Sequence, residues 1–496
     1  MVRHILIKYD NNLNHSLRLN AFLFFCAITT LLAALSGCQV DARPQWEETK
    51  KLSKNRVPSD DLIWHRTDED KLIIEQKVQK YLNEGLTQKD AVAIALLNNK
   101  ALQAEFENLG IAASDLLQSK LFTNPPLSGF LAFPTNLGNT TASLLFILSD
   151  FYQVPKRAAF FESISAATSQ RVALLIIQTA AAAELAYNQV LYYKKTLELQ
   201  HGMLNQKILI ANRMRVRYAH GLIDELTLRA AEAAVTQQQI IIRNTEVSEI
   251  RAQNMLNVLL SLDDITQKTP LISELKWDGR EFQDLQTYVE FALNNRLDVI
   301  AAKQDITSAK LNIEYQKTLI FPYVGGGLGW EGEITQGNTF GPVGSMVVPI
   351  FDQNQAQIAK AGFVLRQHEK ILENLKHTSR ATISNIINRQ ERNQHNLKQV
   401  NERLAEIVSR EVNFASEWQR KSQINQIEWL MTRLNHLDFE QQLLDMIWLL
   451  RMDDVRLHVA SWGGPPVPMV TATQSPIGPV TARGPTSAAG DSSTGF

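Results

Sequence analysis

The stretch Val92-Ala-Ile-Ala-Leu-Leu-Asn-Asn99 returns 197 residues later as Val289-Glu-Phe-Ala-Leu-Asn-Asn-Arg296. At that offset Val92, Ala95, Leu96, Asn98, Ala104, Ala112, Lys120 and Pro125 fall on Val289, Ala292, Leu293, Asn295, Ala301, Ala309, Lys317 and Pro322. Self-similarity at one fixed offset marks a duplicated structural unit. In both copies helical spacing runs into a Pro-marked break and then a Gly-rich, β-compatible stretch. The first copy offers strands over Leu127 to Phe133 and Thr140 to Leu148, the second over Tyr323 to Ile334 and Thr339 to Val348. These approach membrane-crossing length, about 9–11 residues. Four strands cannot close a barrel around a pore, whereas twelve from three chains can.

After each strand pair comes a long segment rich in Ala, Leu, Gln, Asn and charge and poor in Gly and Pro, a composition that favours helix. The first runs from about Pro155 to Ala219 and the second from about Asn354 to Trp418. At 1.5 Å per residue each is a rod of roughly 95–100 Å, followed by a turn and a returning helix. In the second copy Leu397, Val400, Leu404 and Ile407, then Phe414 and Trp418, keep a 3–4 rhythm interrupted by Glu411. The return repeats it through Ile427, Leu430, Leu434, Leu437, Leu444 and Trp448, with Gln441 as the exception. Such spacing packs helices side by side as a coiled coil. The expected fold is mainly α with a small β part: two repeats, each a strand pair plus a long coiled-coil α-hairpin. The first spans 71–270 (strands about 127–148, hairpin about 155–262). The second spans 271–462 (strands about 323–348, hairpin about 354–462).

The flanks concern targeting. Arg3, Lys8 and Arg18 precede an apolar run, Ala21 to Leu35, too short to span a bilayer and typical of a secretory signal. It ends in Leu35-Ser36-Gly37-Cys38, which resembles a bacterial lipobox, so residues 1–37 are expected to be a signal peptide and Cys38 the lipidated first residue. Gln39 follows, where aspartate would hint at inner-membrane retention, so outer-membrane sorting is expected. Cys26 is lost with the signal, which leaves no disulfide option. Residues 38–70 read as a charged, irregular tether. Residues 463–496, rich in Pro, Gly, Ser and Thr, read as a disordered tail. No second stretch is expected to reach spanning length: Val172 to Ala183 is interrupted or bounded by Gln178, Thr179 and Glu184 and reads as a packed helix. A membrane crossing then falls to β-strands. Phe130, Phe133, Phe146, Phe151, Tyr152, Tyr323, Trp330 and Phe340 suit its lipid-facing wall.

Chemistry is excluded by context. With 45% hydrophobic residues and formal charge −1, the chain is not basic enough for nucleic acid. Gly327-Leu-Gly-Trp-Glu-Gly332 matches G-x-G-x-x-G but reads as strand, where a dinucleotide site needs a strand-to-helix turn. The ten histidines show no HExxH or clustered metal spacing. No catalytic residue, metal site or cofactor is expected beyond the covalent lipid on Cys38.

Three ordered motifs carry a family resemblance. Leu86-Thr-Gln-Lys-Asp-Ala-Val-Ala-Ile-Ala-Leu-Leu-Asn-Asn99, continuing to Pro125, resembles the opening helix of TolC-like outer-membrane efflux proteins. Tyr218-Ala-His-Gly-Leu-Ile-Asp-Glu-Leu226 is similar to their periplasmic hairpin tip, and Val348-Pro-Ile-Phe-Asp-Gln-Asn354 to the entry of their last strand into a long helix. The resemblance covers roughly residues 75–462. It implies a homotrimer with a twelve-stranded outer-membrane barrel continued by a periplasmic α-helical tunnel. It further implies the outer-membrane duct of a tripartite pump for metal ions or drugs, partnered by a periplasmic adaptor and an inner-membrane pump of RND type. On this pattern Gly221, Leu222, Ile223, Ser422, Gln423 and Ile424 would contact the adaptor, although the second tip lacks the glycine. Glu428 would form a carboxylate ring at the tunnel entrance, favouring cations, with Asp224 and Glu225 adding negative charge or favouring their own helix start. A second acidic position of some relatives falls near Met431. A periplasmic adaptor or a structural coiled-coil envelope lipoprotein is the alternative. The first needs one hairpin between compact β-domains, and the second has no use for paired strands of membrane length.

Overall fold

The computed structural model describes residues 40–59, 61–130, 140–264, 266, 270–277, 279, 284–333, 337–421 and 426–463. In chain order these form α1 (Arg43–Ser53), α2 (Asp68–Asn83), α3 (Gln88–Asn98), α4 (Lys100–Lys120), β1 (Leu127–Phe130), β2 (Thr140–Ile147), α5 (Asp150–Ala219) and α6 (Glu225–Leu259). Then follow α7 (Leu285–Asn295), α8 (Leu297–Thr318), β3 (Val324–Glu333), β4 (Gly337–Met346), α9 (Gln355–Lys421) and α10 (Gln426–Trp462). The order helix pair, strand pair, long helix, returning helix thus occurs twice.

The long helix α5, 70 residues, is the spine: α6 returns along it, and α3, α4, α8, α1 and α10 pack on it. Its small residues allow this. Ala173, Ala180, Ala181, Ala183 and Ala186 are all buried, with Val172, Ile176 and Ile177 between them. That run corrects one expectation, since an 18-residue window of α5 is apolar enough by composition to cross a membrane. Because 56% of the window is buried within the fold, it serves here as a core helix.

Each half breaks its first helix at one residue, and both breaks are tied to the end of the returning helix of the same half. Asn99, with φ −59° and ψ 114°, ends α3 and caps α4, its side chain accepting from Leu102 N–H. Asn99 Nδ2 donates to Leu259 O at 2.7 Å, and Asn98 Nδ2 donates to Leu260 O at 2.8 Å, at the end of α6. Arg296, with φ −63° and ψ 128°, stands at the α7–α8 break. It is 1% exposed, donates to Ala460 O in the last turn of α10 at 2.9 Å, and grips Asp298 with two further bonds. Helix C-termini leave carbonyls without partners, and these side chains supply donors. Replacing Arg296 with methionine strands the half of the pair that remains, so a loss of about 3–5 kcal/mol is expected. A thermal melt of the variant within a degree or two of the parent would show the tie to be idle.

The expected irregular tether is corrected in part. Arg43–Ser53 is a helix, with Thr49 fully buried and Trp46 packed edge-on against Phe106 at 4.9 Å. Trp64, also buried, donates from Nε1 to Glu107 at 2.8 Å. Two tryptophans supply enough apolar area to dock a stretch whose charges dominate its composition. Thr67 and Asp70 then form a capping box that starts α2.

Candidate functional site

The four strands make one antiparallel sheet in the order β1-β2-β3-β4. It sits at the end of the helical body where α5 begins: Leu148 N–H donates to Val324 O at 2.7 Å, and Tyr152 Oη to Phe321 O at 2.8 Å. Residues directly opposite across antiparallel strands share a face, so the register assigns the two faces. One face carries the rows Leu127–Leu144–Leu328–Pro342, Gly129–Ala142–Trp330–Phe340 and Phe146–Gly326–Gly344. The other carries Ser128–Ser143–Gly329–Gly341, Phe130–Thr141–Glu331–Thr339, Leu145–Gly327–Val343 and Ile147–Gly325–Ser345. The Ser128 and Ser143 hydroxyls meet at 2.8 Å on that second face.

The first face is apolar up to its far end, where the row Thr140–Gly332–Asn338 closes it, yet Leu127, Leu144, Phe146, Leu328, Trp330 and Phe340 are all exposed. Away from the helices the second is small and polar except for Phe130. The outer edges of β1 and β4 have no partner strand among the described residues. An exposed apolar face and open edges are features that soluble single chains avoid. Of the aromatics named from the sequence, Phe146, Trp330 and Phe340 are exposed on the apolar face, Phe151 and Tyr152 are exposed at the start of α5 and Tyr323 is half-buried. Phe130, also exposed, is a correction, since pairing with Thr141 puts it on the other face, and Phe133 lies outside the described residues. The whole Gly327-to-Gly332 segment lies within β3.

At the opposite end of α5, Gly221 takes φ +65° with open space around its Cα. This lets Gly221 and Leu222 donate backwards to Tyr218 O and Arg217 O, both at 2.9 Å, and close the helix. Leu222 and Leu226 are exposed and Ile223 half-buried. Asp224 caps α6, accepting from Thr227 N–H at 2.8 Å, which holds its carboxyl below the usual range. Glu225 pairs with Arg229 at 3.2 Å. Both acids therefore serve the start of their own helix. Ser422, Gln423 and Ile424 lie outside the described residues, as do Cys38, the signal and the tail beyond Gly463. Glu428 is exposed in the first turn of α10, between buried Ile427 and Leu430, with Met431 exposed three residues on.

The two polar breaks in the second hairpin's seam find partners on other helices. Glu411 Oε2 lies 2.8 Å from His436 Nδ1 and 3.3 Å from Arg433 Nη1, and His436 Nε2 lies 3.1 Å from Glu440. Gln441 donates to Asp445 at 2.7 Å and to Thr196 of α5 at 3.3 Å, while Tyr192 Oη donates to Asp445 at 2.8 Å and stacks on Trp448 at 4.6 Å. These contacts stitch α9 to α10 and α10 to α5. Sequence reading missed one further group. Glu184 of α5 sits mostly buried beside Gln88 at the start of α3, and burial pushes its carboxyl up to about 7 against the pull of Arg451 on α10.

No protein-family model matches the chain, and no curated protein matches it in sequence. Solved structures do match. The CusC structure, described by its transmembrane channel formation, has a TM-score of 0.61 at 16% identity, over 76% of this chain and 92% of its own. The outer membrane channel MtrE of Neisseria gonorrhoeae, in its open state, has a TM-score of 0.58 at 16% identity, over 76% and 89%. The outer-membrane channel OprN has a TM-score of 0.55 at 15% identity, over 84% and 96%. The chain has the fold of TolC-like outer-membrane efflux channels.

Proposed function

We propose that this chain is the outer-membrane channel subunit of a tripartite efflux pump, a passive duct rather than an enzyme. The exposed apolar face of the β1–β4 sheet carries this reading. Outside a membrane such a face would be an aggregation hazard. In a trimer it becomes the lipid-facing wall of a twelve-stranded barrel, the open edges pair between protomers, and the Ser/Thr/Gly face with Glu331 lines the lumen. The helical hairpins then form the periplasmic tunnel. An adaptor of RND type pumps would dock at the tips around Gly221 and 422–424, with Glu428 near the tunnel entrance. Drugs or metal ions are the cargo. A periplasmic adaptor is disfavoured because both strand pairs belong to one continuous sheet. A purely structural lipoprotein has no use for that sheet's apolar face.

Chain length supports lipidation at Cys38 in the same membrane. Gln45 lies beside Ser165 and Thr49 beside Ser169, so α1 runs parallel to α5. From Asp150, at the base of the sheet, to Ser165 is about 22 Å of helix. Arg43 lies about 3 Å nearer the sheet, and five residues back to Cys38 span up to roughly 17 Å. At full extension the anchor comes within roughly 3 Å of the level of Asp150, below the sheet.

The decisive experiment is conductance: purified protein should open ion-conducting pores in planar bilayers, and its deletion should sensitise cells to pump substrates. A protein that stays soluble without detergent and never conducts would refute the duct. Cys38→Ser is expected to abolish incorporation of labelled palmitate, and label retained on the variant would remove Cys38 as the anchor.

A further inference from the structure

Just below the sheet, four exposed lysines project from the ends of four helices: Lys120 on α4, Lys156 on α5, Lys317 on α8 and Lys360 on α9. The helix ends are tied together there. Arg157 donates to Ser119 O and Leu121 O at 2.9 and 2.7 Å, joining α5 to the end of α4. Asn354 Nδ2 donates to Gln316 O at 2.7 Å, joining the start of α9 to the end of α8. Lys317 pairs with Glu314 at 2.8 Å, and Lys156 also helps hold the Glu314 carboxyl below its usual range.

Two further carboxylates at the base of the sheet each accept a backbone N–H. Asp150 accepts from Thr123 N–H at 2.5 Å, and Asp352 from Asn354 N–H at 2.9 Å. Both carboxylates keep their charge, so among these groups Lys120, Lys156, Lys317, Lys360 and Arg157 outnumber Glu314, Asp150 and Asp352. Directly above the lysines, at the base of the sheet, stand exposed Phe122 and Phe151, packed edge-to-face at 5.5 Å, with Tyr152 and Phe321 beside them.

Helix dipoles explain only half of this. Lys120 and Lys317 close α4 and α8, where a cation is favoured. Lys156 and Lys360 lie in the second turns of α5 and α9, where the dipole gives a cation no benefit. Contacts place the four in a band just below the sheet: Ser119 meets Arg157, and Lys360 lies about 9 Å along α9 beyond Asn354, which meets Gln316. Lys156 is about 9 Å along α5 from its first residue, close to the layer a bilayer's headgroups occupy below its hydrocarbon edge.

We infer that Lys120, Lys156, Lys317 and Lys360 form a collar that binds the phosphates of anionic phospholipids, fixing the channel's height in the inner leaflet. This rests on the barrel reading above. An anionic surface holds each nearby lysine with a several-fold gain in affinity, and aliphatic stems let lysines reach headgroups while their carbons cover apolar surface.

The test uses the full-length protein in nanodiscs of phosphatidylcholine with and without phosphatidylglycerol, with bound lipid read by native mass spectrometry. The parent should retain phosphatidylglycerol preferentially. Neutralisation to Lys→Gln should cost about fivefold in that retention per lysine, whereas Lys→Arg at all four positions should preserve it. Equal retention by the parent and the fourfold Lys→Gln variant would overturn the collar. Conductance in pure phosphatidylcholine separates the two ideas. Pores without phosphatidylglycerol preference refute the collar and leave the duct standing, whereas failure to insert in either lipid refutes both.

Discussion

Gly327→Val is expected to abolish the folded sheet. A Cβ at Gly327 would lie 1.9 Å from Leu144 O and 2.8 Å from Leu145 Cα, both backbone atoms of the paired strand. A flexible side chain could swing away from such a clash, but the β2 backbone cannot move without losing its pairing with β3. Among the described residues that pairing, from Thr140↔Gly332 to Ile147↔Gly325, is the seam that joins the strands of the two halves. Overpacking at an adaptable site costs about 1–3 kcal/mol, and this site has no adaptable partner. The control lies on the same face, since a Cβ at Gly341 meets nothing within 4 Å. Membrane fractions should therefore contain protease-resistant protein for the parent and Gly341→Ala, and little or none for Gly327→Val. Equal yields from both variants would mean that the β2–β3 seam is not where this sheet is held.

How much of this was legible from sequence depends on what each residue's partner is. Strand positions came from Pro-marked breaks and Gly-rich, β-compatible composition, both local properties; β1, β2 and β3 lie within the stretches so identified, and β4 begins two residues earlier, at Gly337. The seam around Leu397–Ile407 and Ile427–Trp448 was legible because a coiled coil writes its contacts into a short period. Glu411 and Gln441 were visible only as breaks in that period. Their partners, His436 and Thr196, lie 25 and 245 positions away, a relation no window contains. The helix Arg43–Ser53 was hidden for the opposite reason. Its charges lie on the outside and its docking depends on Trp46 meeting Phe106, a contact set by tertiary packing rather than periodicity. Asn99 and Arg296 hold equivalent places in the duplication with unlike side chains, so identity matching passed over them, although both reach for the closing carbonyls of a returning helix.

Glu184 was read as a residue bounding an apolar run, and its placement makes it the strongest source of pH dependence outside the sheet. The carboxyl is mostly buried among α3, α5 and α10. It hydrogen-bonds Gln88, whose Oε1 accepts from Arg451 Nη2 at 3.1 Å. The guanidinium thus stands one residue removed from the acid, and Asp454 opposes it. In the folded protein the proton leaves near 7, whereas in the unfolded chain it leaves near the ordinary 4.5. Between those values the folded state holds a proton that the unfolded state has released, so stability falls as pH rises through that window and is level above it. At about 1.4 kcal/mol per pH unit the loss is at most roughly 3 kcal/mol per protomer. Glu184→Gln keeps the shape and the contact with Gln88 while removing the ionisation. It should melt like the parent at pH 4.5, and at pH 8 it should be more stable by about 2–3 kcal/mol, with a flatter curve between. Arg451→Met should act in the opposite sense, lowering stability at pH 8 more than at pH 4.5, because it removes the charge that partly offsets the buried carboxylate. Parallel melting curves for the parent and Glu184→Gln from pH 4.5 to 8 would show that water reaches this carboxylate and that burial does not govern it.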